Sequence, residues 1–311
     1  MYGSHLSIAG SMVNALDEAK TLNLDTVQVF TKNQQQWSVK ALDEVMVKEW
    51  RDALKSMGWL DRTVSHASYL INLASVNDEL WRKSIDLMTV EIERCEQLSI
   101  PFLVHHPGSF VGSTLEHGLA RIAAAYQELF KRTAGYQTVA CLEGTAGPGS
   151  QIGGPFEHLS ALREQIVSAT GLGARVGFCL DTCHLHAAGH DMSTAESAAA
   201  VLADFDRRCG IKNVRVMHLN DSKGALGSKL DRHEHIGMGW VGRAGKKPGA
   251  EAKFSAAALK ASGFAAVVRH PHLRAIPKIL ETPKGLSDKG IPFDTVNLKR
   301  LRALSDEQAA E

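Results

Sequence analysis

The chain has 311 residues, 44% of them hydrophobic and 22% charged, with a formal net charge of +1. That balance is ordinary for a globular protein and argues mildly against indiscriminate polyanion binding, although a local basic rim can hide in a balanced total. Five cysteines without a C-x-x-C pair, two of them (Cys141 and Cys179) inside apolar runs, fit small buried thiols in a reducing cytoplasm.

In chain order, the opening "YGSHLSI" has no cationic start followed by an apolar stretch, so no signal peptide is expected. No later apolar segment approaches the ~20 residues that span a bilayer. Apolar runs predict strands at His5–Ile8, Val27–Phe30, Val64–His66, Phe102–His106, Val139–Glu143, Val176–Asp181, Val214–His218 and Lys278–Glu281. Helical periodicity fills the gaps at Ser11–Leu22, Asp43–Met57, Asp78–Leu98, Leu115–Ala134, Phe156–Thr170, Thr194–Cys209 and Glu251–Ser262. Strands alternating with helices imply parallel βαβ units, and eight of them predict an α/β fold of the (β/α)8 TIM-barrel type. An open doubly wound sheet would need a glycine-rich phosphate turn, which is absent. One domain is expected over residues 1–311, with 285–311 as a polar C-terminal extension carrying a short helix near Val296–Leu304. The long Gly-, Lys- and His-rich loop Asn220–Lys247 is of a length that in a compact domain is usually functional or disordered.

The chemistry sits where the strands end. The predicted strands three to eight close on His66, His106, Glu143, Asp181, His218 and Glu281, each directly after apolar sequence. In a β/α barrel those ends converge on one face. Side chains alternate along a strand, so Asp181 shares its face with Cys179 and Gly177, and Glu143 with Cys141 and Val139. His184 follows Asp181 by three residues, and "LDRHEHIG" in the long loop offers Asp231 and His233 two apart. Five imidazoles and four carboxylates exceed the needs of one four-coordinate ion. They point to two or three ions, with Zn2+ or Mn2+ favoured by the N and O donors. Four clustered carboxylates would otherwise repel one another.

These motifs resemble the endonuclease IV family of apurinic/apyrimidinic endonucleases. The matching stretches are "GSHLSIAG", "FTKNQQQW", "SHASYLINLAS", "HHPGS", "EGTAGPGSQIG", "LDTCHLHAAGHD", "MHLNDSKGALGSKLDRHEHIG" and "ILETP", in family order from about Tyr2 to Pro283. The resemblance implies three zinc ions held by His66, His106, Glu143, Asp181, His184, His218, Asp231, His233 and Glu281, with Mn2+ admissible in one or more positions. Glu143 would bridge two ions, one of them shared with His66 and His106. Asp181, His218 and Glu281 would hold the second, and His184, Asp231 and His233 the third. The implied enzyme is a metal-dependent hydrolase, deoxyribonuclease IV of the phage-T4-induced type. It would cut the phosphodiester 5′ to abasic sites in duplex DNA with a metal-activated hydroxide, leaving a 3′-hydroxyl and a 5′-deoxyribose phosphate.

Asn33, Gln34, Gln35 and Tyr69 are expected in loops that enter the duplex, while Lys229 and Arg232 would hold backbone phosphates. For each, the competing reading is a solvated loop residue, and for Tyr69 a core aromatic. Gly144 stands where the family commonly has Asn, Ala67 where Asp is common, and Gln35 where some members carry Arg. His5 is expected beside the ligands, His105, His186, His190 and His235 are unassigned, and the basic stretch "RHPHLRAIPK" offers further DNA contacts. The expected partner is abasic duplex DNA and not a membrane, with a monomeric, cytoplasmic, nucleoid-associated protein. The rival readings are a divalent-metal sugar isomerase or epimerase of the same barrel class, and a catalytically silent lesion binder.

Overall fold

The computed structural model describes residues 1–249 and 253–305. Its strands are β1 (Tyr2–His5), β2 (Thr26–Val29), β3 (Val64–His66), β4 (Phe102–His105), β5 (Val139–Glu143), β6 (Val176–Asp181), β7 (Val214–His218), the two-residue strands β8 (Asp221–Ser222) and β9 (His233–Glu234), and β10 (Lys278–Leu280). Eight of them close into a parallel barrel in the order β1-β10-β7-β6-β5-β4-β3-β2. β8 and β9 form a separate antiparallel ribbon inside the long loop. Around the barrel lie α1 (Met12–Thr21), α2 (Glu44–Met57), α3 (Asp78–Gln97), α4 (Leu115–Arg132), α5 (Phe156–Thr170), α6 (Thr182–Ala188), α7 (Ala195–Cys209), α8 (Ala256–Lys260), α9 (Gly263–Arg269) and α10 (Phe293–Ser305). The fold is the expected TIM barrel, and among the described residues no helix is long and apolar enough to cross a membrane.

Two apolar layers follow from the period-two alternation of the strands. Outward residues such as Val27, Leu103, Leu142, Phe178, Leu180 and Met217 pack against the helices in the main core. Inward residues Val64, Val104, Cys141, Cys179, Val216 and Ile279 form a second cluster that fills the barrel. Gly177 is part of that filling, because a Cβ there would lie 2.6 Å from Cγ of Arg215.

Four local expectations change. The first strand is Tyr2–His5, not His5–Ile8. Gly3 lets β1 press against β2 (a Cβ would sit 2.6 Å from the Thr26 carbonyl oxygen), while Leu6 is buried and Ile8 half-buried in the loop that follows. The helix expected over Glu251–Ser262 is described only as α8, its first residue lying outside the described residues, and the chain restarts as α9 after a Ser262 cap. The basic stretch before β10 lies at the opposite end of the barrel from the strand termini. His272 Nε2 donates to the carbonyl at the start of β7 (3.1 Å), and Lys278 Nζ to the carbonyls of Leu273, Arg274 and Ile276. It therefore adds nothing to the face that carries the candidate residues. The last helix is longer than expected and is bound to the barrel, with Asp294 accepting from Ser4 Oγ (2.8 Å) and Lys284 Nζ (2.8 Å).

Candidate metal centre

Each member of the barrel-filling cluster is followed two residues later by a polar group on the same inner face. Val64 leads to His66, Val104 to His106, Cys141 to Glu143, Cys179 to Asp181, Val216 to His218 and Ile279 to Glu281. The remaining strands complete the ring: β1 ends on His5, which pairs in register with Gln28 of β2. All eight barrel strands thus contribute to one polar layer above an apolar plug.

Four of the five imidazoles are held from behind. His66 Nδ1 donates to its neighbour's carbonyl at Ala67 (2.8 Å), His184 Nδ1 to Gly144 (2.9 Å) and His233 Nδ1 to Glu281 (3.1 Å). His218 Nε2 donates to Oε1 of Gln28 (2.9 Å). Anchoring one ring nitrogen fixes the other, with its lone pair, aimed inward. The inward atoms meet carboxylates: His66 Nε2 and His106 Nε2 lie 3.1 and 3.2 Å from Glu143 Oε2, and His218 Nδ1 lies 3.0 Å from Glu143 Oε1 and 3.2 Å from Glu281 Oε2. His184 Nε2 and His233 Nε2 lie 3.1 and 3.3 Å from Asp231 Oδ1.

Asp181 explains why β6 stops where it does. Its Oδ1 caps α6, accepting from the amides of Cys183 (2.6 Å) and His184 (3.0 Å), so the expected turn is a seven-residue helix that presents His184. Asn220 donates to its Oδ2 (2.6 Å) and accepts from the Glu281 amide (2.7 Å), tying two carboxylate-bearing strands together. The β8–β9 ribbon pairs Ser222 with His233 and so seats the loop's donors at the rim. Buried Asp221 braces that ribbon by accepting from the amides of Ser222, Gly237, Val241 and Gly242.

Ligand-type atoms approach within 4.8 Å of one another in the groups His66–His106–Glu143, Glu143–Asp181–His218–Glu281 and Asp181–His184–His233. Cys183 also falls near Asp231 and His233, but burial pushes its thiol up to about 12 and its Sγ donates to the Arg232 carbonyl. Burial would drive His66, His184 and His218 neutral, and the carboxylates overturn it. Glu143 and Glu281 raise His66, Asp181, Asp231 and Glu143 raise His184 well above the ordinary range, and Glu281, Glu143 and Asp181 raise His218 to about 9. Against burial, the imidazoles in turn hold Glu143 and Glu281 well below the usual carboxylate range. The cluster therefore demands positive charge at its centre, which protons or divalent cations can supply. The Nε2 atoms of His184 and His233 are buried and meet Asp231 Oδ1 at 3.1 and 3.3 Å without good hydrogen-bond geometry, as nitrogens sharing a cation with a carboxylate would. The donor set fits hard-to-borderline divalent metals.

A cavity of about 340 Å3 opens above the layer, lined by His66, Tyr69, His106, Glu143, Asp231 and Glu281 among others. Asn33, Gln34 and Gln35 lie in the β2–α2 loop, Tyr69 in the β3–α3 loop, and Lys229 and Arg232 in the β7–β9 segment, all at the same end of the barrel. Tyr69 is 60% exposed and so is no core aromatic, its ring standing 5.2 Å from that of His66. Lys229 Nζ donates to the Ala188 carbonyl and Arg232 to that of Asp231, leaving both cations exposed at the rim. Of the unassigned histidines, His105 faces the helix layer and hydrogen-bonds Tyr126 (2.6 Å), His190 stacks on Phe156 and His235 on Phe293. Gln28 and Asn220 are functional-site residues that sequence reasoning missed. Gln28 Nε2 donates to Glu281 Oε1 (2.7 Å) and meets His5 Nδ1 (2.9 Å).

A family model described as a xylose isomerase-like TIM barrel matches residues 16–247. A protein named probable endonuclease 4 from Chloroflexus aurantiacus is 39% identical, with 97% of each chain covered. Another of that name, from Methanoculleus marisnigri, is 38% identical over 98% of this chain and 99% of its own. The crystal structure of endonuclease IV from Thermus thermophilus matches with a TM-score of 0.79 at 35% identity, covering 98% of this chain and 99% of that one. A D-tagatose 3-epimerase-like protein, at a TM-score of 0.65 and 16% identity, shares the fold alone.

Proposed function

The chain belongs to the endonuclease IV family, and from that premise we propose that it is a DNA-repair nuclease hydrolysing the phosphodiester 5′ to abasic sites, leaving a 3′-hydroxyl and a 5′-deoxyribose phosphate. The observation that carries the reading is the ring of five imidazoles facing four carboxylates at the C-terminal face of the barrel. In this reading His66, His106, Glu143, Asp181, His184, His218, Asp231, His233 and Glu281 hold three zinc ions, with Mn2+ an admissible occupant. When bound, the ions would supply Lewis acidity toward the phosphodiester and lower the pKa of water toward ~7.

The protein's own contribution is orientation and charge. Glu143 turns Oε2 to His66 and His106 and Oε1 to His218, and so serves two ligand groups at once. Gln28 and Asn220 hold His218, Glu281 and Asp181 in place by hydrogen bonds. Lys229 and Arg232 meet backbone phosphates, while Asn33, Gln34, Gln35 and Tyr69 face the duplex. The cavity takes the extruded abasic nucleotide, whose missing base lowers the cost of unstacking. The chain acts as one barrel domain and as a monomer. A sugar epimerase would leave the His184–Asp231–His233 group without a task, since such chemistry needs one or two ions.

Glu143→Gln tests the assignment. Incision at an abasic analogue should fall by roughly 100-fold or more, as for loss of a group acting in the transition state, with lesion binding largely kept. Unchanged incision would remove Glu143 from the bridging role.

A further inference from the structure

The two loops proposed to face the duplex share one buried anchor outside the metal layer. Glu91, on the barrel-facing side of α3, is 1% exposed. Its Oε2 accepts from Thr31 Oγ1 (3.0 Å), at the base of the loop that carries Asn33, Gln34 and Gln35. Its Oε1 accepts from the Ser68 amide (3.2 Å), next to Tyr69. Arg94, one turn further along α3, donates to Thr31 Oγ1 (3.2 Å), to the Thr31 carbonyl and to the Lys40 carbonyl (3.0 Å), so it holds both ends of the first loop. Lys32 is buried rather than presented to DNA. Its ammonium lies 4.0 Å from Glu91 and donates to the carbonyls of Asn33 and Gln36 (both 2.8 Å), pinning the loop from inside. Ser68 Oγ then joins the two loops directly by donating to the Gln34 carbonyl (2.6 Å).

Neither loop has regular structure of its own over these residues, so its shape depends on such contacts. A carboxylate that accepts from both loops, with two cations facing it, holds them in a single relative arrangement and leaves Asn33, Gln35 and Tyr69 exposed. We infer that Glu91, supported by Arg94, is a positioning residue that locks the two lesion-facing loops together, so that recognition of the damaged duplex, rather than the cleavage step, depends on it. The inference rests on the abasic-endonuclease reading for its substrate and on the hydrogen-bond network for its mechanics.

Two measurements separate those dependencies. In Glu91→Gln, hydrogen exchange of amides in both loops, residues 31–40 and 67–70, should quicken by about tenfold while the barrel strands keep their protection. Steady-state incision of a duplex with one abasic analogue should show KM raised about tenfold, kcat within about threefold, and an unchanged metal content. Ser68→Ala, which removes the loop-to-loop bond and a long 3.4 Å bond from the Leu70 amide but leaves the Glu91 carboxylate in place, should show a smaller change of the same kind. It also serves as the test if Glu91→Gln does not fold. Unaltered exchange in either loop, or a fall in kcat with KM unmoved, would overturn the inference. So would an equal loss of protection throughout the chain, which would make Glu91 a general stability residue. If the unmodified protein did not cut the abasic duplex, the functional reading would fail, and the exchange data would still decide whether Glu91 locks the loops.

Discussion

Gln28 sits at the centre of three polar partners, and replacing it with Leu would leave His218 Nε2, Glu281 and His5 each short of a bond in a buried layer. Unpaired buried groups cost about 1–3 kcal/mol each, and loss of a partner behind a metal ligand typically weakens metal binding by roughly 10–100-fold. Competition with a chromophoric chelator should show that loss in Gln28→Leu, and equal zinc retention would contradict the orienting role. Gln28 carried little signal in the sequence, because a single amide in "TVQV" looks like any strand polar residue. His66, Glu143 and Asp181 were legible because an ionisable group that closes a buried apolar strand needs a partner to offset its desolvation. Glu91 was illegible for the opposite reason: in "VEIERCEQ" several helix carboxylates look alike, and only packing shows which is buried. His190 gives a prediction in pH. Burial against Phe156 (ring centroids 3.9 Å apart) lowers its pKa below the ordinary value, and its Nε2 donates to the Gly154 carbonyl (2.9 Å). The unfolded chain therefore takes up its proton first as pH falls, so this contribution is complete above pH ~6.5 and is lost on acidification. The stability difference between the wild type and His190→Gln should narrow from pH 8 to pH 5, and a constant difference in denaturant titrations would contradict it.

At the level of elements, two glycines one strand apart should respond oppositely to a methyl group. Gly177 on β6 has no room, since its Cβ would lie 2.6 Å from Arg215 and 3.2 Å from the Asn213 carbonyl. Gly177→Ala should cost about 1–3 kcal/mol through overpacking. Gly144, just past β5, has a negative φ and only ordinary contacts at 3.7 and 3.8 Å, so Gly144→Ala should be neutral or stabilising by about 0.4–1 kcal/mol. Urea midpoints at constant slope would check both, and the opposite ranking would refute the packing argument. Most barrel strands and long helices could be read from periodicity, with ends shifting by a few residues where caps rather than hydrophobicity decide them. The seven-residue α6 could not, because it spans under two full turns and its cap is the same aspartate that ends β6. The first strand was misplaced because Leu6 and Ile8 pack on the core from just past its end, while the true strand is paired through Gly3.

Across the whole molecule, the polar layer gathers side chains from every barrel strand into the space above a small apolar plug of six residues. Glu143, Asp231 and Glu281 are held ionised against burial by neighbouring imidazoles, so bound cations should stabilise the closed barrel as well as the site. Ligand linkage gives about 2.7 kcal/mol when a site is filled at 100 times its Kd. Prolonged chelation should therefore lower the melting temperature, with recovery on adding Zn2+, and an unmoved melting curve would sever the ions from the fold. Metal-dependent incision at a lesion is decided by a duplex carrying a single tetrahydrofuran abasic analogue, assayed before and after exhaustive chelation. Cleavage immediately 5′ to the analogue should be seen, abolished by metal removal and restored by Zn2+ or Mn2+. No cleavage by protein with its metals confirmed bound, or cleavage indifferent to chelation, would refute the proposed activity.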